Sequence, residues 1–142
     1  MTAWPELPVA AWTETRDTVH MWTQIVGKIR LALMPPLNQW WQTTLYVDAR
    51  GLTTGLMPYR ETGLEIAFDF RRHRLVIDTV DGARRELSLE PRTVADFYED
   101  VFAQLRDLGV DVTIYARPVE IPVAIPFAED TQHASYDGDS MH

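Results

Sequence analysis

Leu64-Glu65-Ile66-Ala67-Phe68-Asp69-Phe70-Arg71-Arg72-His73-Arg74-Leu75-Val76-Ile77-Asp78-Thr79 decides the fold. Leu64, Ile66, Phe68 and Phe70 alternate with Glu65, Ala67 and Asp69, a period of two that belongs to a half-buried strand. Arg71-Arg72 separates this run from His73–Thr79, in which His73, Leu75 and Ile77 share a face. Asp81-Gly82, a favoured hairpin turn, leads on into Arg84–Leu89. Upstream, Trp40–Val47 also reads with period two. Trp41, Thr43, Leu45 and Val47 fall on a core face, with Trp40, Gln42, Thr44 and Tyr46 opposite. Asp48-Ala49-Arg50-Gly51 then turns into a weaker strand around Leu52–Met57. Residues 40–89 are therefore expected to form an antiparallel meander of about five strands.

Helical patterns flank the meander. Val19, Trp22, Val26, Ile29 and Leu33 recur at spacings of three and four, with Thr13 or Thr15 as cap, and Pro35-Pro36 ends the helix. After Pro91, Thr93 caps a second helix with Asp96 three residues on. Its apolar stripe is Val94, Phe97, Val101, Leu105 and Leu108, and Gly109 closes it. Val110–Tyr115 alternates once more and is expected to be a last strand. The fold class is α+β: two helices on one face of an antiparallel sheet of five to six strands, in the order α-β-β-β-β-β-α-β.

Residues 1–116 are expected to form one domain, since 142 residues suffice for a single hydrophobic core. Residues 117–142 read as an extended tail or connector. Pro118, Pro122 and Pro126 exclude a helix or central strand, while the last fifteen residues are polar, acidic and disordered by composition. No lysine or arginine follows Arg117, whereas Glu120, Glu129, Asp130, Asp137 and Asp139 do.

Composition removes several function classes. Cysteine is absent, which excludes disulfides, thiolate metal sites and a cysteine nucleophile. A net charge of −8 argues against nucleic acid. No apolar run suits a membrane span, and the N-terminus lacks a secretory pattern, so a cytoplasmic location is expected. Ser88, Ser135 and Ser140 lie outside any Gly-x-Ser-x-Gly turn, and Gly51-Leu52-Thr53-Thr54-Gly55 lacks the lysine of a phosphate loop. The residues implicate no cofactor.

Two constellations remain. On the first helix, Arg16, His20, Thr23, Gly27 and Arg30 form one row, and His20, Gln24 and Lys28 a second. A cation, an imidazole and an amide on one face suit a carboxylate or phosphate, although such residues also suit a solvated face. Gly27 costs about 1 kcal/mol against alanine in mid-helix and points to close approach by another group. The second constellation is Trp40 with Gln42, Thr44 and Tyr46, an aromatic platform for a flat ligand or else a face covered by other chain segments. The candidate ligand set is thus His20, Gln24, Lys28, Arg30, Trp40, Gln42 and Tyr46, with no catalytic residue assigned. His133, His142, Asp130, Asp137 and Asp139 have metal-binding side chains but no metal-site spacing, so no metal is expected. Arg71-Arg72-His73-Arg74 offers a basic turn for an anion or merely a solvated one. The ligand would be small and anionic or aromatic. Alternatively the chain is an interaction module, a homodimer formed through the apolar tail Val119–Phe127 and an exposed sheet face.

His20-Met21-Trp22-Thr23-Gln24-Ile25-Val26-Gly27-Lys28, Pro35-Pro36-Leu37-Asn38-Gln39-Trp40-Trp41, Leu45-Tyr46-Val47 and Ala49-Arg50-Gly51-Leu52-Thr53-Thr54 together resemble an uncharacterised bacterial family of unknown function. Val94-Ala95-Asp96-Phe97-Tyr98, Pro118-Val119-Glu120-Ile121-Pro122 and His133-Ala134-Ser135-Tyr136-Asp137 extend the resemblance to about Asp137. It carries no activity over, but implies that this chain corresponds to the N-terminal half of longer members, with the missing C-terminal half as its partner. Half of a larger enzyme is one expectation for the chain, beside the ligand-binding domain and the interaction module. It also implies a histidine where this chain carries Gln39, which weakens any chemistry resting on that position.

Overall fold

A computed structural model describes residues 4–142. The first helix, α1, spans Thr13–Leu33 and stops where Pro35-Pro36 can no longer donate to its last carbonyls. The strands that follow are β1 (Tyr46–Val47), β2 (Gly51–Thr53), β3 (Met57–Tyr59), β4 (Thr62–Asp69), β5 (Arg74–Thr79) and β6 (Arg84–Ser88). The helix α2 covers Val94–Asp107, and a last short turn of helix, α3, covers Gly138–Met141. The sheet is antiparallel throughout, in the order β1-β2-β4-β5-β6, with β3 also paired to β4.

The hairpin read first from the sequence forms as expected. Ile66 faces Ile77 and Phe68 faces Leu75 across β4 and β5. Leu64, Ile66, Phe68, Leu75, Ile77 and Leu87 are buried on one face, beneath α1 and α2. Trp22 of α1 stacks on Phe97 of α2 at 4.8 Å, and Phe97 in turn lies 6.4 Å from Phe68 of the sheet. That aromatic column joins the layers, and such stacks contribute beyond their buried area. The outer face of the sheet is polar, with Arg84 paired to Asp78 and Arg50 to both Asp48 and Glu65.

β2 and β3 are two parts of one bent strand along the same edge of β4. At the bend, Thr54 N–H donates to the Ile66 carbonyl, and Thr54 Oγ1 accepts from the Ile66 N–H at 3.0 Å. One side chain thereby replaces a ladder bond. Gly51 is obligatory here, because a Cβ on it would lie 2.4 Å from the Phe68 carbonyl oxygen.

Three expectations need correction. Trp40–Val47 is not a strand: Asn38–Thr43 coils into 3₁₀ turns, with Gln39 and Trp40 at positive φ, and only Tyr46–Val47 pairs. The expected faces therefore dissolve. Trp41 is 61% and Val47 84% exposed, whereas Gln42 is buried and its Oε1 accepts from the Leu37 N–H. Val110–Tyr115 alternates in burial yet joins no ladder; its Asp111 N–H goes to the Tyr59 hydroxyl instead.

The third correction concerns the tail, whose composition read as disordered. Residues 117–142 strap back across both helices, burying Pro118, Phe127, Asp130 and Tyr136. Its polar groups are spent on helix ends and faces. The carbonyls of Asp130 and His133 accept from Ala95 and Val94, satisfying donors that α2 would otherwise leave orphaned. Ser135 and Asp137 N–H groups donate to the buried hydroxyls of Thr18 and Thr15 on α1. Burial pushes the Tyr136 phenol up to about 12, with the Asp137 charge adding to the effect.

One buried cation ties these parts together. Arg30, 5% exposed, has no carboxylate partner among the described residues and donates to the carbonyls of Thr54, Trp41 and Gln42 while lying over the Tyr46 ring. Replacing it by Met would strand those carbonyls. Arg30→Met is expected to cost about 3 kcal/mol of unfolding free energy by urea denaturation. An unchanged midpoint would show that the turn and the bent strand stand without it.

Candidate functional site

The polar side of α1 is only partly covered: Arg16 and His20 remain exposed. It forms one wall of a cleft whose other wall is the strap, and the cleft holds two cavities. The first, of about 440 Å³, has Thr23, Gly27, Lys28 and Leu31 of α1 along one side. Thr43, Leu45 and Leu52 close it from the 3₁₀ turns and the sheet, and Val119 and Glu120 close it from the strap. The second, of about 470 Å³, lies farther toward the start of α1, between Arg16, Asp17 and Met21 and the strap residues Ile121, Val123, Ile125 and His133. His20 borders both.

Gln24 determines where the strap sits. Its Nε2 donates to the Val119 carbonyl at 2.8 Å, and its Oε1 accepts from the Val119 N–H at 2.9 Å. A side-chain amide thus substitutes for a neighbouring strand. The same Nε2 lies 3.3 Å from Nε2 of His20. Because Val119 fixes which end of the amide faces which way, Gln24 offers His20 a donor, and Nε2 of His20 must accept.

Lys28 stands apart from the other charges. No carboxylate pairs with it among the described residues, and its ammonium lies 5.1 Å from the centre of the Tyr115 ring. Burial holds its pKa below the ordinary lysine value, because a partly desolvated cation favours its neutral form. The walls around it are largely aliphatic. Gly27 leaves the floor open: a Cβ there would meet only the Thr43 carbonyl, at an ordinary 3.5 Å.

The structure therefore brings together His20, Gln24 and Lys28, and separates the rest of the expected set. Arg30 points inward and is consumed by backbone carbonyls. Gln42 is buried in the turn, while Trp40 and Tyr46 face solvent outside the cavity. Leu45, Leu52, Val119 and Glu120 carried no chemical signal in the sequence. The one available hint was a proline-spaced apolar tail that needed a surface to lie on.

The strap also contributes a buried carboxylate. Asp130, 1% exposed, accepts from the N–H groups of Gln132 and His133 through Oδ1, and its Oδ2 lies 2.7 Å from Nδ1 of His133. Among the described residues, no group of three or more His, Asp or Glu side chains is arranged to hold a metal. None of the described helices is long and apolar enough to cross a membrane.

The chain belongs to a family of unknown function (DUF5996), whose profile matches residues 4–142. No curated protein and no solved structure matches it.

Because Gln24 is the contact that fixes Val119, Gln24→Ala is expected to loosen the strap locally while the sheet stays intact. Hydrogen exchange at the Val119 amide should accelerate at least tenfold, with β4 and β5 amides unchanged. Equal protection in the variant would show that apolar packing alone seats the strap.

Proposed function

We propose that the first cavity binds a small amphiphilic anion, a carboxylate carried on an aliphatic or aromatic body. The observation that supports this reading is the partly desolvated Lys28 ammonium, without a carboxylate partner among the described residues, in a lining that joins Leu31, Leu45, Leu52 and Val119 to polar groups and Glu120. Such a cation is costly to keep in the free protein, and a carboxylate repays that cost. The volume falls within the range of ordinary ligand cavities. Leu31, Leu45 and Leu52 would cover the apolar body, with Thr23 and His20 as polar neighbours of the head group. The ligand expected from the sequence is retained, but its site moves from the Trp40 platform to Lys28.

Octanoate and phenylpropionate are suitable probes. Titration followed by methyl NMR should shift Leu31, Leu45 and Leu52, and Lys28→Met should weaken binding at least tenfold without lowering the melting temperature. Binding should also fade as pH rises through the lowered Lys28 pKa, because the cation is then lost. Absence of any shift at millimolar probe, or equal binding by Lys28→Met, would refute the reading.

A second reading, self-association, is favoured by a different observation. Leu37, Trp40, Trp41 and Val47 are all exposed, Trp40 at 69%, although large apolar side chains grouped on a surface usually meet a partner. The apolar tail originally expected to pair with another protomer is instead laid on its own body, so the turn at 37–47 is the better candidate. Native mass spectrometry at tens of micromolar should then show a dimer that Trp40→Ser with Trp41→Ser abolishes. A monomer in both proteins would dismiss it.

A further inference from the structure

The second cavity holds two imidazoles whose hydrogen bonds fix their protons in complementary ways. His133 has Nδ1 against the buried Asp130 carboxylate, at 2.7 Å, so Nδ1 carries the proton. Oδ1 of Asp130 already accepts two backbone N–H groups, which fixes the carboxylate in place. Nε2 of His133 is then left as a lone pair, with no hydrogen-bond partner among the described residues. On the opposite wall, Nε2 of His20 accepts from Gln24, so its proton sits on Nδ1. One ring thus offers an acceptor and the other a donor, at the border of one cavity.

The rest of the lining is the apolar set Met21, Ile121, Pro122, Val123 and Ile125, together with the neutral amide of Gln132 and the Arg16–Asp17 pair. Arg16 is occupied by its neighbour Asp17 at 2.7 Å, so the cavity carries no free cation for an anionic substrate. These residues suit a neutral carbonyl compound with an apolar body. A carboxylate that holds an imidazole in one tautomer and stabilises its protonated form is the arrangement a general base requires.

We infer that Asp130, His133 and His20 form a general-base site that hydrolyses small apolar esters with water as the nucleophile. Nε2 of His133 takes a proton from water as the water oxygen bonds to the carbonyl carbon. The carbonyl π pair moves onto its oxygen, where the Nδ1–H of His20 donates a hydrogen bond. Collapse of the tetrahedral species breaks the bond to the leaving oxygen, which departs with the proton held by His133. Ester and water become acid and alcohol, and nothing is oxidised or reduced. This cavity meets the one around Lys28 at His20, which borders both, and neither assignment rests on the other.

The test uses the full chain and p-nitrophenyl butyrate. His133→Gln should lower the hydrolysis rate about 100-fold, within the span of general-base contributions. Asp130→Asn should do the same, and His20→Gln should lower it about tenfold by removing one donor. His142→Gln, exposed near the end of the chain, should match the wild type. Circular dichroism checks folding; the carbonyls that cap α2 belong to the backbone and survive these substitutions. An independent readout needs no variant: ¹⁵N–¹H correlation spectra of the neutral imidazoles should show His133 and His20 as Nδ1–H tautomers. Hydrolysis by His133→Gln at the wild-type rate, or an Nε2–H tautomer at His133, would overturn the assignment.

Discussion

A guanidinium without a carboxylate organises this protein. Arg30 enters the interior from α1 and, among the described residues, meets the peptide dipoles of Trp41, Gln42 and Thr54 and the face of the Tyr46 ring. Those carbonyls belong to two segments with little regular structure of their own, the 3₁₀ turns and the bend between β2 and β3. A charge buried this deeply is tolerated only when its donors are satisfied, so each segment is held where its oxygen is needed. The floor of the first cavity follows from this. Thr43 lies one residue beyond a carbonyl that Arg30 holds, and Leu52 two residues before another. A left-handed Gln39-Trp40 pair, which sterics disfavour by about 1–2 kcal/mol per residue, is the local cost of that arrangement.

The paired strands and both helices were legible because their apolar periodicity is local and unambiguous. Alternation in β4 and β5 and the three-four spacing in α1 and α2 each reflect one buried face. The misreadings share a different cause. Trp40–Val47 has the composition of a strand, but Arg30 selects its carbonyl geometry from a distance, and no pattern within eight residues reveals that. Val110–Tyr115 does bury alternate side chains, as its sequence says; what it lacks is a neighbour in the ladder, which alternation does not report. The last fifteen residues looked disordered because they are polar, yet their polar groups serve as partners for Thr15, Thr18 and the first turn of α2. Composition counts polar groups without showing which of them are already spoken for.

The same limit applied to the site. His20, Gln24 and Lys28 were identifiable as a functional row because a helix repeats its face. Whether that row met solvent, ligand or chain depended on the strap, ninety-five residues away in sequence. Gln24, which looks like a candidate for binding something foreign, binds the chain's own backbone. In that row Lys28 is the cation without a carboxylate partner among the described residues. The histidines are distinguished by what stands behind them, an amide for His20 and a buried carboxylate for His133.

The Gln24–Val119 clamp also bears on the order in which the molecule assembles. The helix that forms one wall of both cavities is made well before the wall opposite, the contacts of Ser135 and Asp137 spanning more than a hundred residues. During synthesis the apolar side of α1 can find the sheet and α2 well before its polar side has anything to face. Closing so long a loop is entropically expensive, and nothing repays it until the proline-spaced segment arrives and is gripped. Until the strap is made, the core lacks Phe127 and Tyr136 and neither cavity exists, leaving Thr15, Thr18 and Gln24 open to any extended peptide that presents the right amides.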